Sequence, residues 1–139
     1  MSVNVQDLDL PQLTEVKRQL DEELGHLTNS FAQLKQAQAK FKACVENVAE
    51  INPSNTGKVI LVPLTNSLYV PGRLSNPDTV IVDVGTGYYV KKERAAAVKH
   101  YQAKMDFVRS NLETLQETIQ KKQENLSFLI QVMQAKMQQ

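Results

Sequence analysis

Val59-Ile60-Leu61-Val62-Pro63-Leu64-Thr65-Asn66-Ser67-Leu68-Tyr69-Val70 and, a few residues on, Thr79-Val80-Ile81-Val82-Asp83-Val84-Gly85-Thr86-Gly87-Tyr88-Tyr89-Val90-Lys91 are the two most strand-like stretches of the chain. Their β-branched and aromatic runs predict four strands: Val59–Leu64, Leu68–Val70, Thr79–Val84 and Tyr88–Lys91. The links Thr65-Asn66-Ser67 and Gly85-Thr86-Gly87 have the length of tight hairpin loops, so the strands form two β-hairpins. Val59, Ile60, Leu61, Val62 and Leu64 are apolar on both faces of the first strand, and Val80, Ile81, Val82 and Val84 repeat this in the third. A strand apolar on both sides must be covered on both sides. Isolated hairpins are marginal in water, so these are expected to complete a sheet or barrel with other subunits, which also removes their open edges.

The flanks have another composition. All 14 glutamines lie at or before Gln38 or at or after Gln102, whereas four of the five glycines and four of the five prolines lie between Asn52 and Lys91. Residues 10–51 and 92–137 are rich in Gln, Lys, Glu, Leu and Ala and predict two long helices, the first opened by Asp9 and Pro11 and closed at Asn52-Pro53. In the first, Leu13, Leu20, Leu24, Leu27, Phe31, Leu34, Phe41, Val45 and Val48 recur at alternating steps of three and four, interrupted by Lys17 and Gln38. The second repeats the pattern at Val98, Tyr101, Met105, Val108, Leu112, Leu115, Ile119, Leu126, Leu129 and Met133, with Lys122 and Lys136 as polar members. A 3.5-residue period is the seam of a coiled coil. With both seams in one chain, the predicted pairing is antiparallel, in a register that sets Val48 against Val98, Leu34 against Leu112 and Leu13 against Met133. At 1.5 Å per residue such a coil is about 54 Å long and presents surface, with no enclosed core. The fold class is mainly α with a small β part: a long antiparallel two-helix coiled coil joined by two β-hairpins, in a single domain over residues 1–139.

The residues exclude most classes of chemistry. With 16 basic and 15 acidic residues in 139, the net charge of +1 provides no field to hold nucleic acid or an anionic membrane. The longest apolar run, about four residues at Val59–Val62, is far below the roughly 20 of a membrane span, and the opening lacks the pattern of a secretory signal. A single cysteine, Cys44, forms no internal disulfide and fits a reducing compartment and an inert, packed thiol. His26 and His100 fall at solvent-facing heptad positions without a second ligand at metal spacing. Gly85-Thr86-Gly87 lacks the third glycine and the Lys-Ser/Thr of a phosphate loop. No metal, no cofactor and no enzymatic activity are expected. Lys91, Lys92 and Arg94 read either as a solvated helix start or as a contact for an acidic partner.

One feature exceeds the needs of the heptad. Phe128, Ile130 and Val132 lie outside the seam beside Met133, and Leu8 and Leu10 would lie at the same end of the coil. Exposed apolar side chains of this kind mark an interaction surface, here one that grips apolar clients, unless the end of the coil folds over itself.

The order helix, two hairpins, helix, together with Val62-Pro63-Leu64-Thr65-Asn66-Ser67-Leu68-Tyr69-Val70-Pro71-Gly72 and Val82-Asp83-Val84-Gly85-Thr86-Gly87-Tyr88-Tyr89-Val90, resembles an α-class prefoldin subunit over nearly the whole chain. The second hairpin sets the class, since the β class has one. Lys91 departs from the family pattern, which has an acidic residue there. The resemblance implies a cytoplasmic heterohexamer, with a nuclear pool left open, in which this chain joins one further α-class and four β-class subunits. Their hairpins would form a double β-barrel base and six coiled-coil arms would hang from it. It also implies ATP-independent holding of unfolded actin and tubulin chains and their transfer to the cytosolic chaperonin. The assembly residues would then be Val59, Ile60, Leu61, Val62, Tyr69, Val70, Val80, Ile81, Val82, Val84, Tyr88, Tyr89 and Val90, and the client-binding residues Leu8, Leu10, Phe128, Ile130, Val132 and Met133. From another class comes the alternative of a scaffold or transcription-linked adaptor built on the same module.

Overall fold

The computed structural model describes residues 4–139. Helix α1 (Leu10–Glu50) leads into strands β1 (Val59–Pro63), β2 (Tyr69–Arg73), β3 (Thr79–Gly85) and β4 (Tyr88–Glu93), and helix α2 (Arg94–Met137) follows. β1 pairs with β2 and β3 with β4, both antiparallel, in two separate two-stranded sheets. The expected two helices and two hairpins are therefore present.

Helix α1 starts at a reciprocal capping box. The Gln12 N–H donates to Asp9 Oδ1 (3.0 Å) and the Asp9 N–H to Gln12 Oε1 (3.1 Å), satisfying donors that the first turn leaves free. Its other end stops at Glu50, because Asn52 turns the chain: the Asn52 side chain accepts from the Ser54 N–H (3.0 Å), and Pro53–Asn55 form a 3₁₀ turn. Every seam position from Leu13 to Val48 in α1 and from Val98 to Lys136 in α2 is buried or half-buried.

Contacts divide the chain into two units, one holding the chain up to Ala37 together with Val108–Gln139, the other Gln38–Phe107. In the first, Leu13, Val108, Leu112 and Leu129 are buried, and Lys122 Nζ meets Glu23 Oε2 at 2.5 Å between the helices. That contact lies one residue from the register expected for this unit. Burying a leucine such as Leu13 or Leu129 contributes roughly 1.5–3 kcal/mol. The pairs along α1, Lys17–Asp21 and Arg18 with Glu15 and Glu22, are exposed and contribute little.

In the second unit the core is Val48, Val82 and Ala97, with Val80, Val98 and Tyr101 packed against it. Ala97, fully buried and small, lets the inner face of β3 approach α2. Arg94 Nη1 donates to the Ile51 carbonyl (2.8 Å), joining the two helix ends beside the sheet, again one residue from the expected register.

Several details differ from expectation, and β1, β2 and β3 each shift by one residue at an end, to Val59–Pro63, a Tyr69 start and a Gly85 end. β2 runs on to Arg73 through Pro71-Gly72, because Pro71 occupies a ladder position whose N–H would point away from β1. β4 continues to Glu93, so α2 begins two residues later than residue 92. His100 is half-buried with its ring edge-on to Tyr101, centroids 5.3 Å apart, and so does not simply face solvent.

Candidate functional site

The first candidate surface is the pair of hairpins. In β1–β2, Val59 faces Arg73, Ile60 Gly72, Leu61 Pro71, Val62 Val70 and Pro63 Tyr69. Gly72 stands at a close approach: a Cβ there would lie 3.0 Å from Val62 Cγ2, so the valine side chain would have to shift. All five residues of β1 are exposed, Leu61 at 68%, and Tyr69 and Val70 are exposed opposite them. Neither face of this hairpin is covered by the chain. The second hairpin is covered on one side only: Val82 is buried and Val80 half-buried against the helices, while Ile81 is 74% exposed and Tyr89 66%. Val84, Tyr88 and Val90 are exposed as well. Its turn needs Gly87 in the left-handed region (φ +79°), and Asp83 Oδ1 accepts from the Gly85 N–H (3.1 Å) next to an irregular step in the ladder.

Of the assembly residues read from sequence, Val82 belongs to the chain's own core, Val80 leans against it, and the other eleven are exposed. Leu64 and Leu68, at the ends of the first hairpin loop, are exposed too and extend that surface. Their apolar character beside a turn was the available signal.

The second candidate surface is the end of the first unit. Leu8 precedes the Asp9 cap and Leu13 stands four residues into the helix, the positions of a hydrophobic staple. Lys136 Nζ donates to the Leu8 carbonyl, tying α2 to this segment. Leu8, Leu10, Ile130, Val132 and Met133 are half-buried, and Phe128 is 48% exposed. So Phe128 is the most open of the six, and Leu8 has a capping role that its sequence pattern, Asp9-x-x-Gln12 behind an apolar residue, could have shown. Met137 near the same end and Phe107 on α2 are further exposed apolar residues outside the expected set.

Elsewhere, an open groove of about 910 Å³ is lined by Asp78, Thr79, Glu93, Arg94, Val98 and Lys99 among others, with two carboxylates against two cations and Arg94 already engaged at Ile51. The basic cluster is split: Lys91 and Lys92 point to opposite faces of β4, and Arg94 is structural. Burial pushes the Tyr101 phenol above its ordinary value, with Cys44 and Asp83 adding to the shift. Among the described residues, no group of three or more His, Cys, Asp or Glu is placed to hold a metal ion, and no helix is long and apolar enough to cross a membrane.

Comparison with known proteins matches this arrangement. Residues 20–139 match the prefoldin subunit family. The chain is 42% identical over 138 residues to prefoldin subunit 5 of Homo sapiens, covering 99% of this chain and 90% of that protein. It is equally identical over 137 residues to the probable prefoldin subunit 5 of Schizosaccharomyces pombe, covering 97% and 89%. A filamentous PFD from Methanocaldococcus jannaschii, solved by cryo-EM, has the same fold, with a TM-score of 0.50 over 92% of this chain and 98% of that one at 22% identity. Two long helices around two exposed hairpins, and identity that runs almost end to end, lead to one conclusion: the chain belongs to the prefoldin subunit family.

Proposed function

We propose that this chain is a subunit of a hexameric, ATP-independent co-chaperone that holds unfolded proteins of the actin and tubulin class and passes them to the cytosolic chaperonin. The observation that carries the reading is the first hairpin, whose apolar residues are exposed on both faces although the helices already have each other as partners. Apolar surface of this kind is built to be covered. Its cover is one further α-class and four β-class subunits, whose hairpins close a common base in the cytoplasm. Clients meet the helix ends, where Phe128 is the open contact and Leu8, Leu10, Ile130, Val132 and Met133 form its half-buried surround. Several arms making weak contacts hold a client by avidity and still let it leave.

The test is aggregation of a chemically denatured protein diluted into buffer with the purified assembly and no nucleotide. Suppression at near-stoichiometric ratios is the expected result. An assembly that forms but leaves aggregation unchanged would overturn the holding function and favour a scaffold.

A further inference from the structure

Burial along the first unit runs against what a two-helix coil produces. From Leu20 to Phe31 on α1 and from Leu115 to Leu126 on α2, every seam side chain is only half-buried, because two helices leave each seam residue an open flank. Toward the end of the coil that flank should widen. Leu13 and Leu129, in its last turns, are instead fully covered, at 0% and 1% exposure. The extra cover comes from the segment ahead of α1. Val5–Asp7 form a 3₁₀ turn opened by Asn4, whose side chain accepts from the Gln6 N–H (3.2 Å), and closed by the Leu8 N–H on the Val5 carbonyl (3.3 Å). Val5 and Leu8, three residues apart, share one face of this turn and are half-buried, while Asn4, Gln6 and Asp7 are exposed. The segment is ordered but lightly held. Among the described residues, the one hydrogen bond that joins it to α2 is the Lys136 ammonium on the Leu8 carbonyl. The capping box of Asp9 and Gln12 lies on the helix side of the extended Leu8 (φ −82°, ψ 146°), so the segment can swing about Leu8 while α1 keeps its cap.

We infer that residues 4–8 are an autoinhibitory strap: they cover Leu13 and Leu129 in the empty subunit, and an unfolded apolar polypeptide displaces them and takes their place. The inference rests on the proposed holding function, adds its regulation, and makes Leu8 a cover of the client surface instead of a contact within it. The strap itself shows what the uncovered surface accepts, a short segment with apolar side chains three residues apart, which is the chemistry any unfolded chain offers. Phe128, already open, gives such a chain its first hold before the strap moves. A cover of this kind lowers affinity by the fraction of time it is open, so a strap closed for about nine-tenths of the time weakens binding about 10-fold.

The test separates release of the strap from fraying of the helix. Full-length Leu8→Ser and Lys136→Gln each remove one of the strap's attachments, whereas the control Gln12→Ala breaks half of the capping box and leaves those attachments in place. Each is assembled with the partner subunits, and binding of a fluorescently labelled polypeptide, kept unfolded by carboxymethylated cysteines, is titrated by anisotropy. With helix content unchanged by circular dichroism, Leu8→Ser and Lys136→Gln are expected to bind about 3- to 10-fold tighter than the wild type, and Gln12→Ala within about 2-fold of it. In the wild-type complex, the Asp7 and Leu8 amides, bonded to the Asn4 and Val5 carbonyls, should lose protection from hydrogen exchange when the polypeptide is added, while the Leu13 amide keeps its own. That readout stands even where a variant fails to assemble. Weaker binding by Leu8→Ser, an equal gain in Gln12→Ala, or Asp7 and Leu8 amides that keep or gain protection would each overturn the assignment. Failure of the wild-type complex to bind the polypeptide overturns the holding function, and the strap is then read by 1-anilinonaphthalene-8-sulfonate alone. Its fluorescence should rise with Leu8→Ser and Lys136→Gln and stay level with Gln12→Ala; a level signal in all three would overturn the strap as well.

Discussion

Tyr101 shows how one side chain reports on its unit. It sits half-buried between Phe41, ring centroids 6.3 Å away, and the edge of His100, and burial is the main cause of its raised pKa. A tyrosine whose folded pKa is raised stabilises the fold fully below its unfolded value of about 10, and that contribution is lost as pH rises through the folded value. The expected outcome is a phenolate absorbance change one tyrosine larger in the wild type than in Tyr101→Phe, the difference between the two titrations having its midpoint above pH 10. The stability of the wild type should fall through the same window more steeply than that of the variant. Gly25 is a simpler case. It lies in the interior of α1 with nothing within 4 Å of where a Cβ would stand, so Gly25→Ala is expected to raise stability by about 0.5–1 kcal/mol, measurable as a shift of the urea midpoint.

At the scale of elements, the helices were legible because the heptad is a long, redundant signal. Losing Lys17, Gln38 or Lys122 from the apolar set does not hide a seam that recurs from Leu13 to Met133, and the burial follows it. The hairpins were legible for a different reason: β-branched runs broken by Thr-Asn-Ser and Gly-Thr-Gly leave few alternatives. What the sequence concealed depends on contacts between distant residues. That Val82 would be buried and its neighbour Ile81 open follows only from Ala97 meeting the inner face of β3. The role of Leu8 depends on Lys136 reaching its carbonyl across the end of the coil. The register can be tested within the first unit. Leu34→Cys with Leu112→Cys should form a disulfide under mild oxidation, whereas pairing Leu34→Cys with Ile119→Cys, one heptad away, should not. Gel mobility before and after reduction checks it.

For the whole molecule the proposed function turns on whether holding clients and assembling are separable. Phe128 is exposed and outside the seam, whereas Ile130 and Val132 are half-buried. Phe128→Ser is therefore expected to change stability by no more than about 0.5 kcal/mol, while the triple Ser variant at 128, 130 and 132 costs more. Both should leave the hexamer intact and weaken aggregation suppression, the triple more strongly, as light scattering would show. Normal holding by an intact triple variant would move the client surface elsewhere on the arms.

The division of the chain also sets an order in time. The unit Gln38–Phe107 is one continuous piece of sequence, with Val48, Val82 and Ala97 brought together across short separations, whereas the other unit must join Leu13 to its partners near the far end of the chain. Closing a long loop before any contact rewards it is slow, and closing it after a shorter one has formed is much less so. The hairpins and their helix ends thus form the nucleus, and the helices zip outward from it, the leucine end last. In stopped-flow folding, Val82→Ala should slow refolding with φ near 1, and Leu129→Ala should mainly speed unfolding. During synthesis the consequence is sharper: α1 leaves the ribosome with its seam bare and stays so until α2 follows, so for that interval the chain shows the apolar stripe that its folded form covers.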